Sequence, residues 1–273
     1  MLRRWISRIA AFALSVFSKK WRRARILRSP FPTDWLQHLQ HNVPIDRFLS
    51  PREQAKLRND LRIFMTEKDW ESCAGLTITD EIKVTISAQA CVLLLGMEHD
   101  YFSHVRSILV YPSAYQVREQ SVGPNGVVSQ GHSQRVGEAW YGGPVVLAWD
   151  EVVADGRDHT NGRNVVLHEF AHQLDFLDGL IDGTPPLEHR EQYQRWHEVM
   201  TDEYEALQRE TDKGEAVLLD EYGTTNSAEF FSVATECFFE QPAKMRRRHP
   251  RLYQVLGDYY RQDPAQRCEK KTP

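Results

Sequence analysis

His168-Glu169-Phe170-Ala171-His172 packs two imidazoles and a carboxylate into five residues. On an α-helix, residues four apart stand on one face, one turn above the other, so both rings can reach a single metal ion. Glu169 sits about 100° further round and can meet a water on that ion without ligating it. This is the arrangement of zinc-dependent hydrolysis, with the glutamate as general base. The alternative is an ordinary amphipathic helix with two surface histidines. Against it, Val165, Val166, Leu167, Phe170, Ala171 and Leu174 surround the motif with apolar side chains, as in a buried helix. Buried polar groups of this kind need a partner or a metal.

A catalytic zinc site has three protein ligands and keeps one position for water. Asp178 stands six residues after His172, but a chain turning back there calls for glycine at position 175, where Asp175 stands. His189 and His197 have the spacing of a separate surface helix. A stronger source is the run from Tyr222 to Phe239, where Glu229 and Glu236 lie seven apart among Phe230, Phe231, Val233, Phe238 and Phe239. Asn226 or Ser227 can cap that helix. Glu229, in its first turn, is the natural third ligand. Glu236, two turns on, suits a partner that orients a ligating histidine, and Asp175 is a second candidate for such a supporting place.

The chain from about Phe31 to about Pro264 resembles the Mlc titration factor A zinc peptidases. These are bacterial gluzincins related to the catalytic domain of anthrax lethal factor. The resemblance rests on Asn164 to Asp175, on the Gly142-Gly143-Pro144-Val145-Val146-Leu147-Ala148-Trp149 run before it, and on Tyr222…Ala228-Glu229-Phe230-Phe231 after it. It implies one zinc ion held by His168, His172 and Glu229, with Glu169 as the catalytic carboxylate. It also implies that Tyr222, seven residues before the third ligand, points into the site as an oxyanion donor. Two functions follow from it: hydrolysis of a peptide or protein substrate, and sequestration of a Mlc-like transcriptional repressor. By analogy with zincins, the run Pro144 to Trp149 is expected to be a buried or edge strand to which substrate adds, with Trp140, Tyr141 and Gly142 shaping the cleft.

The elements that must position these groups read as α+β: a zincin-like fold, mostly helical, with a small mixed sheet beside the metal helix. Helices are expected over 34–66, with Pro51 at a helix start, and from Asp80 through Leu95. Others are expected over 187–211, Glu229 to Glu240, and Pro250 to Arg261. His104 to Tyr111 reads as a strand, and Pro124-Asn125-Gly126 as a turn between extended segments. Asp155 to Gly162 reads as the loop before the metal helix, capped by Asn164.

At 273 residues, 41% hydrophobic and 26% charged, the chain can bury a sizeable core. Residues 31–264 form one expected catalytic domain, followed by a polar tail over 265–273. Four cysteines without C-x-x-C spacing fit a reducing, cytoplasmic compartment. The net charge of −4 hides an asymmetry. Residues 1–28 hold nine of the 34 Lys and Arg and no acid, leaving 25 basic against 38 acidic residues elsewhere. Such an acidic body argues against direct nucleic-acid binding. The apolar run Ile9 to Phe17 is too short to span a bilayer. With its basic flanks it is either an amphipathic helix on an anionic inner-membrane surface or a basic arm.

Overall fold

The structure, a computed structural model, describes residues 18–113, 115–122, 128–135, 137–139, 143–158 and 160–269, with the backbone alone between 115 and 139. The apolar run before residue 18, the 124–126 turn and Trp140, Tyr141 and Gly142 lie outside the described residues.

Helix α1 covers residues 18–27 and is followed by α2 (Thr33–Asn42). The predicted helix over 34–66 is divided, because Pro44 disfavours helical backbone at Val43 and a 3₁₀ turn, Pro44–Phe48, intervenes. Helix α3 (Pro51–Glu67) then starts on a capping box, in which Ser50 accepts from the Glu53 amide while Glu53 accepts from that of Ser50. Strand β1 (Asp69–Ser72) and helix α4 (Asp80–Leu93) come next. Every α4 residue from Val84 to Leu93 is buried, the small polar Thr85 and Ser87 and the Gln89 amide among apolar neighbours.

A mixed sheet has the order β1-β2-β6-β5, formed by β1, β2 (Ser107–Tyr111), β6 (Val145–Ala148) and β5 (Gly137–Ala139). β1, β2 and β6 run parallel, and β5 pairs antiparallel with β6, Gly137 opposite Leu147. A separate antiparallel pair is formed by β3 (Tyr115–Val122) and β4 (Val128–Arg135). The run after Pro144 is therefore not an edge: β6 is wholly buried and flanked on both sides, and β5 takes the outer place. Four consecutive apolar residues fit a strand enclosed by neighbours better than one exposed along an edge.

Helix α5 (Trp149–Arg157) continues from β6, so Asp155, Gly156 and Arg157 are helical rather than part of a loop. Gly156 is needed there: an added Cβ would stand 2.6 Å from the Asn42 carbonyl oxygen. After α6 (Val165–Asp175) come α7 (Arg190–Asp212), α8 (Ser227–Glu240), α9 (Pro242–Arg248), α10 (Pro250–Tyr260) and α11 (Pro264–Glu269). Part of the expected polar tail is thus helical, and Arg267 ties it to Glu53 of α3 at 2.9 Å. The metal helix α6 packs between the sheet and α8, against β5 and β6 on one side. Its Phe170 wedges between Phe64 and Phe102, with ring centroids 5.6 and 4.8 Å away.

Candidate metal centre

Two caps set the helices that carry the site. Asn164 Oδ1 accepts from the Leu167 amide at 3.0 Å to start α6, and Asn226 Oδ1 accepts from the Glu229 amide at 3.0 Å to start α8. Each satisfies an amide that the first helical turn would leave unpaired. The α6 start has further support: the half-buried Asp155 Oδ2 accepts from the Val165 amide at 2.9 Å, and Glu236 Oε2 from the Asn164 amide at 2.6 Å.

Where α6 faces α8, three side chains converge. His168 Nε2 lies 3.0 Å from Glu229 Oε2, His172 Nε2 lies 3.3 Å from the same oxygen, and the two Nε2 atoms are 3.2 Å apart. Ligand atoms about 2.0–2.1 Å from a tetrahedral zinc stand roughly 3.3 Å from one another, so these three have the spacing of one ion's ligands. Glu236 Oε1 sits 2.7 Å from His168 Nδ1. A proton on Nδ1 then points at Glu236 and leaves the Nε2 lone pair facing the other two acceptors. Three acceptors turned on one point repel unless a cation sits among them, so the donor set fits a metal.

The electrostatics agree. Burial opposes charge on His168, yet Glu236 and Glu229 outweigh it and raise its pKa well above the ordinary value. Burial likewise opposes ionisation of Glu229, but bonds to His168 and His172 hold it down to about 2. The pocket therefore favours positive charge at its centre.

Glu169 is buried, 4% exposed, on the turn that carries His168. Tyr222, in a 3₁₀ turn over Glu221–Thr224, is 53% exposed and its ring centroid stands 6.0 Å from that of His168. It overhangs the site and is not a core aromatic. A cleft of about 410 Å³ opens beside His172 and Glu229, with Ile181, Asp182 and Ala228 also in its wall.

Other sequence candidates stand elsewhere. Asp178 is exposed and accepts from the Leu180 amide at 3.0 Å. His189 precedes α7, and His197 is exposed on it. Asp175 is fully buried, but its Oδ2 accepts from the Gly183 amide at 2.9 Å. It anchors a loop and also interacts electrostatically with His172, while Glu236 bonds to His168. Burial pushes the Asp175 carboxyl up to about 6, against the opposing pull of the Gly183 bond.

Two acids behind the site, buried Glu240 and half-buried Asp155, were not anticipated from the sequence. Glu240 Oε1 accepts from Asn164 Nδ2 at 3.0 Å, and Asp155 holds the first α6 amide. Burial is the main cause that pushes Glu240 up to about 8 and Asp155 up to about 6, and their mutual repulsion with Glu236 adds to it. The signal for Glu240 was its four-residue spacing from Glu236 in an apolar run, which puts both on one helix face. Asp155 gave no such signal, because its segment reads as a loop.

The model of the family described as glucose-regulated metallo-peptidase M90 matches residues 18–261. A protein of Synechocystis sp. with no assigned function is 38% identical over 250 residues, covering 91% of this chain and 90% of its own. Mlc titration factor A of Klebsiella pneumoniae is 33% identical over 86% of this chain and 88% of its own. That of Serratia proteamaculans is 31% identical, over 84% and 87%. The donor spacing, the helix pair that creates it and these likenesses agree: the chain belongs to the M90 metallopeptidase family.

Proposed function

We propose that this chain hydrolyses peptide bonds with a zinc ion held by His168, His172 and Glu229. The observation that carries the reading is the 3.0–3.3 Å triangle of Nε2, Nε2 and Oε2 atoms. Zinc, when bound, polarises a carbonyl and brings the pKa of water from about 15.7 towards about 7. Glu169 takes the proton of the attacking water and returns it to the leaving amine. Its burial keeps competing solvent away from that transfer. The Tyr222 hydroxyl donates to the oxygen on which negative charge grows. Glu236 fixes the ring of His168. The outer edge of β5, packed on α6, offers backbone groups to an extended substrate.

Elemental analysis of the purified protein, alongside cleavage of a peptide library with and without chelator, tests this reading. One zinc per chain and chelator-sensitive cleavage are expected. Glu169→Gln should keep the zinc and lose about 10²–10⁴ in rate; cleavage at the wild-type rate would end the assignment.

The name of the relatives favours a second reading, in which the chain binds a Mlc-like repressor and peptide cleavage is secondary. Glu169→Gln separates the two, because it leaves partner binding intact while stopping hydrolysis. The amino-terminal basic segment supports a peripheral contact with an anionic membrane. Arg23 docks α1 on Glu67 (2.7 and 2.9 Å) and Asp100 (2.6 Å), while Trp21 is 60% exposed among the exposed Lys20, Arg22, Arg25 and Arg28. Basic residues around an exposed indole suit an anionic lipid surface. Among the described residues, no helix is long and apolar enough to cross a membrane. A cytoplasmic location accords with four cysteines of which none is joined in a disulfide.

A further inference from the structure

We infer that the loop from Gly179 to Gly183 is the wall of a substrate subsite that takes an apolar side chain flanking the cleaved bond, with Ile181 as the contacting residue. The inference rests on the peptidase reading and supplies its substrate class.

Ile181 and Asp182 line the same cleft as His172 and Glu229, so whatever lies beside the metal ligands meets this loop. Ile181 is 41% exposed in that wall, and its chain neighbour Leu180 is 59% exposed. Two adjacent exposed aliphatic side chains, one of them in the wall of a cleft, suit a binding surface.

The loop is also held rigidly, as a subsite wall must be. The Gly183 amide donates to Asp175 Oδ2 at 2.9 Å, and its carbonyl accepts from Trp196 Nε1 at 3.0 Å. Both partners are buried, one at the end of the metal helix and the other on α7. Gly183 has φ +80°, and a Cβ on it would stand 2.3 Å from the Ser227 carbonyl oxygen, two residues before Glu229. The absence of a side chain lets the loop seat against the turn that carries the third ligand. Asp182 accepts from the Thr184 amide at 3.0 Å and closes the turn. No lysine or arginine lines the described cleft wall, and besides the metal ligand Glu229 the Asp182 carboxylate does. An acidic side chain would meet like charge there, whereas an apolar one meets Ile181.

The test uses the full-length, zinc-loaded protein carrying Glu169→Gln, titrated calorimetrically with blocked hexapeptides in which one leucine or one aspartate is moved through an alanine background. One position should bind leucine about tenfold tighter than aspartate, the range available to a hydrophobic pocket. Adding Ile181→Ser should reduce that preference to about twofold with zinc content unchanged. A leucine preference untouched by Ile181→Ser, the lack of any preference, or no binding at all would overturn the inference. Cleavage of the same peptides by the protein with Glu169 intact is scored separately. Preference without cleavage would sink the peptidase reading and leave the subsite; cleavage without preference would do the reverse.

Discussion

At Asp60 and Lys68 the buried charges face complementary groups, whereas at the junction of α6 and α8 three acceptor atoms face one another. Asp60 Oδ2 takes the Lys56 ammonium at 2.6 Å, and its Oδ1 accepts from the Tyr101 hydroxyl at 3.4 Å. Lys68 Nζ donates to the Phe102 and Val105 carbonyls at 2.6 and 2.8 Å, while burial holds its pKa down to about 8. Those bonds secure a turn in which Tyr101 and Phe102 both adopt left-handed backbone, φ 55° and 49°. Strained backbone of this sort persists where its surroundings over-determine it. Both regions are polar, buried and close to the same aromatic cluster of Phe64, Phe102 and Phe170. The difference lies in the balance of donors and acceptors. A balanced cluster rigidifies the fold; ligand atoms gathered on one point call for a shared cation.

Four substitutions test this contrast. The largest effect is expected from Tyr222→Phe, which should lower kcat roughly a hundredfold by removing one donor to the oxyanion, with zinc content unchanged. Steady-state kinetics on a cleaved peptide measures it, and an unaltered kcat would remove Tyr222 from the chemistry. Glu236→Gln should weaken zinc affinity about 10–100-fold, the usual cost of losing a group that orients a ligand. Competition with a chromogenic chelator reads this, and full affinity in the variant would show that His168 does not depend on its carboxylate partner.

On the balanced side, Lys68→Met strands two carbonyls and should cost about 1–3 kcal/mol of stability. Urea unfolding gives the loss, and zinc affinity should not move. If zinc affinity falls with stability, the two regions are not independent.

The smallest effect concerns pH. Glu240 titrates at about 8 in the fold against 4.5 unfolded, because it is buried and lies near Glu236 and Asp155. The fold therefore binds a proton that the unfolded chain releases above pH 4.5. That contribution is intact below pH 4.5 and is lost as pH rises through 8. Glu240→Gln, which stays neutral and keeps an oxygen for Asn164, should match wild type at pH 4. It should then gain progressively between pH 4.5 and 8, by on the order of 1 kcal/mol or more. Parallel stability curves for the two proteins would show that Glu240 is already ionised in the fold.

The local features were legible in the chain. Four-residue spacing placed His168 and His172 on one face, Asn164 and Asn226 announced the two helix starts, and seven-residue spacing in an apolar run singled out Glu229 and Glu236. These follow from helical periodicity and from the unpaired amides of a first turn, which act over a few residues and are written in order. Pairing between distant segments was not legible. Four apolar residues at 145–148 read equally as an inner or an outer strand, and only the short β5 laid beside them made β6 internal. The chain did not say which histidine each acid would meet: packing set Glu236 against His168 and bound Asp175 to the Gly183 amide near His172. Residue order alone settles which side chains share a helix face. The tertiary structure alone decided which faces meet, because contacts between residues 60 to 70 positions apart depend on how the whole core packs and no local pattern encodes them.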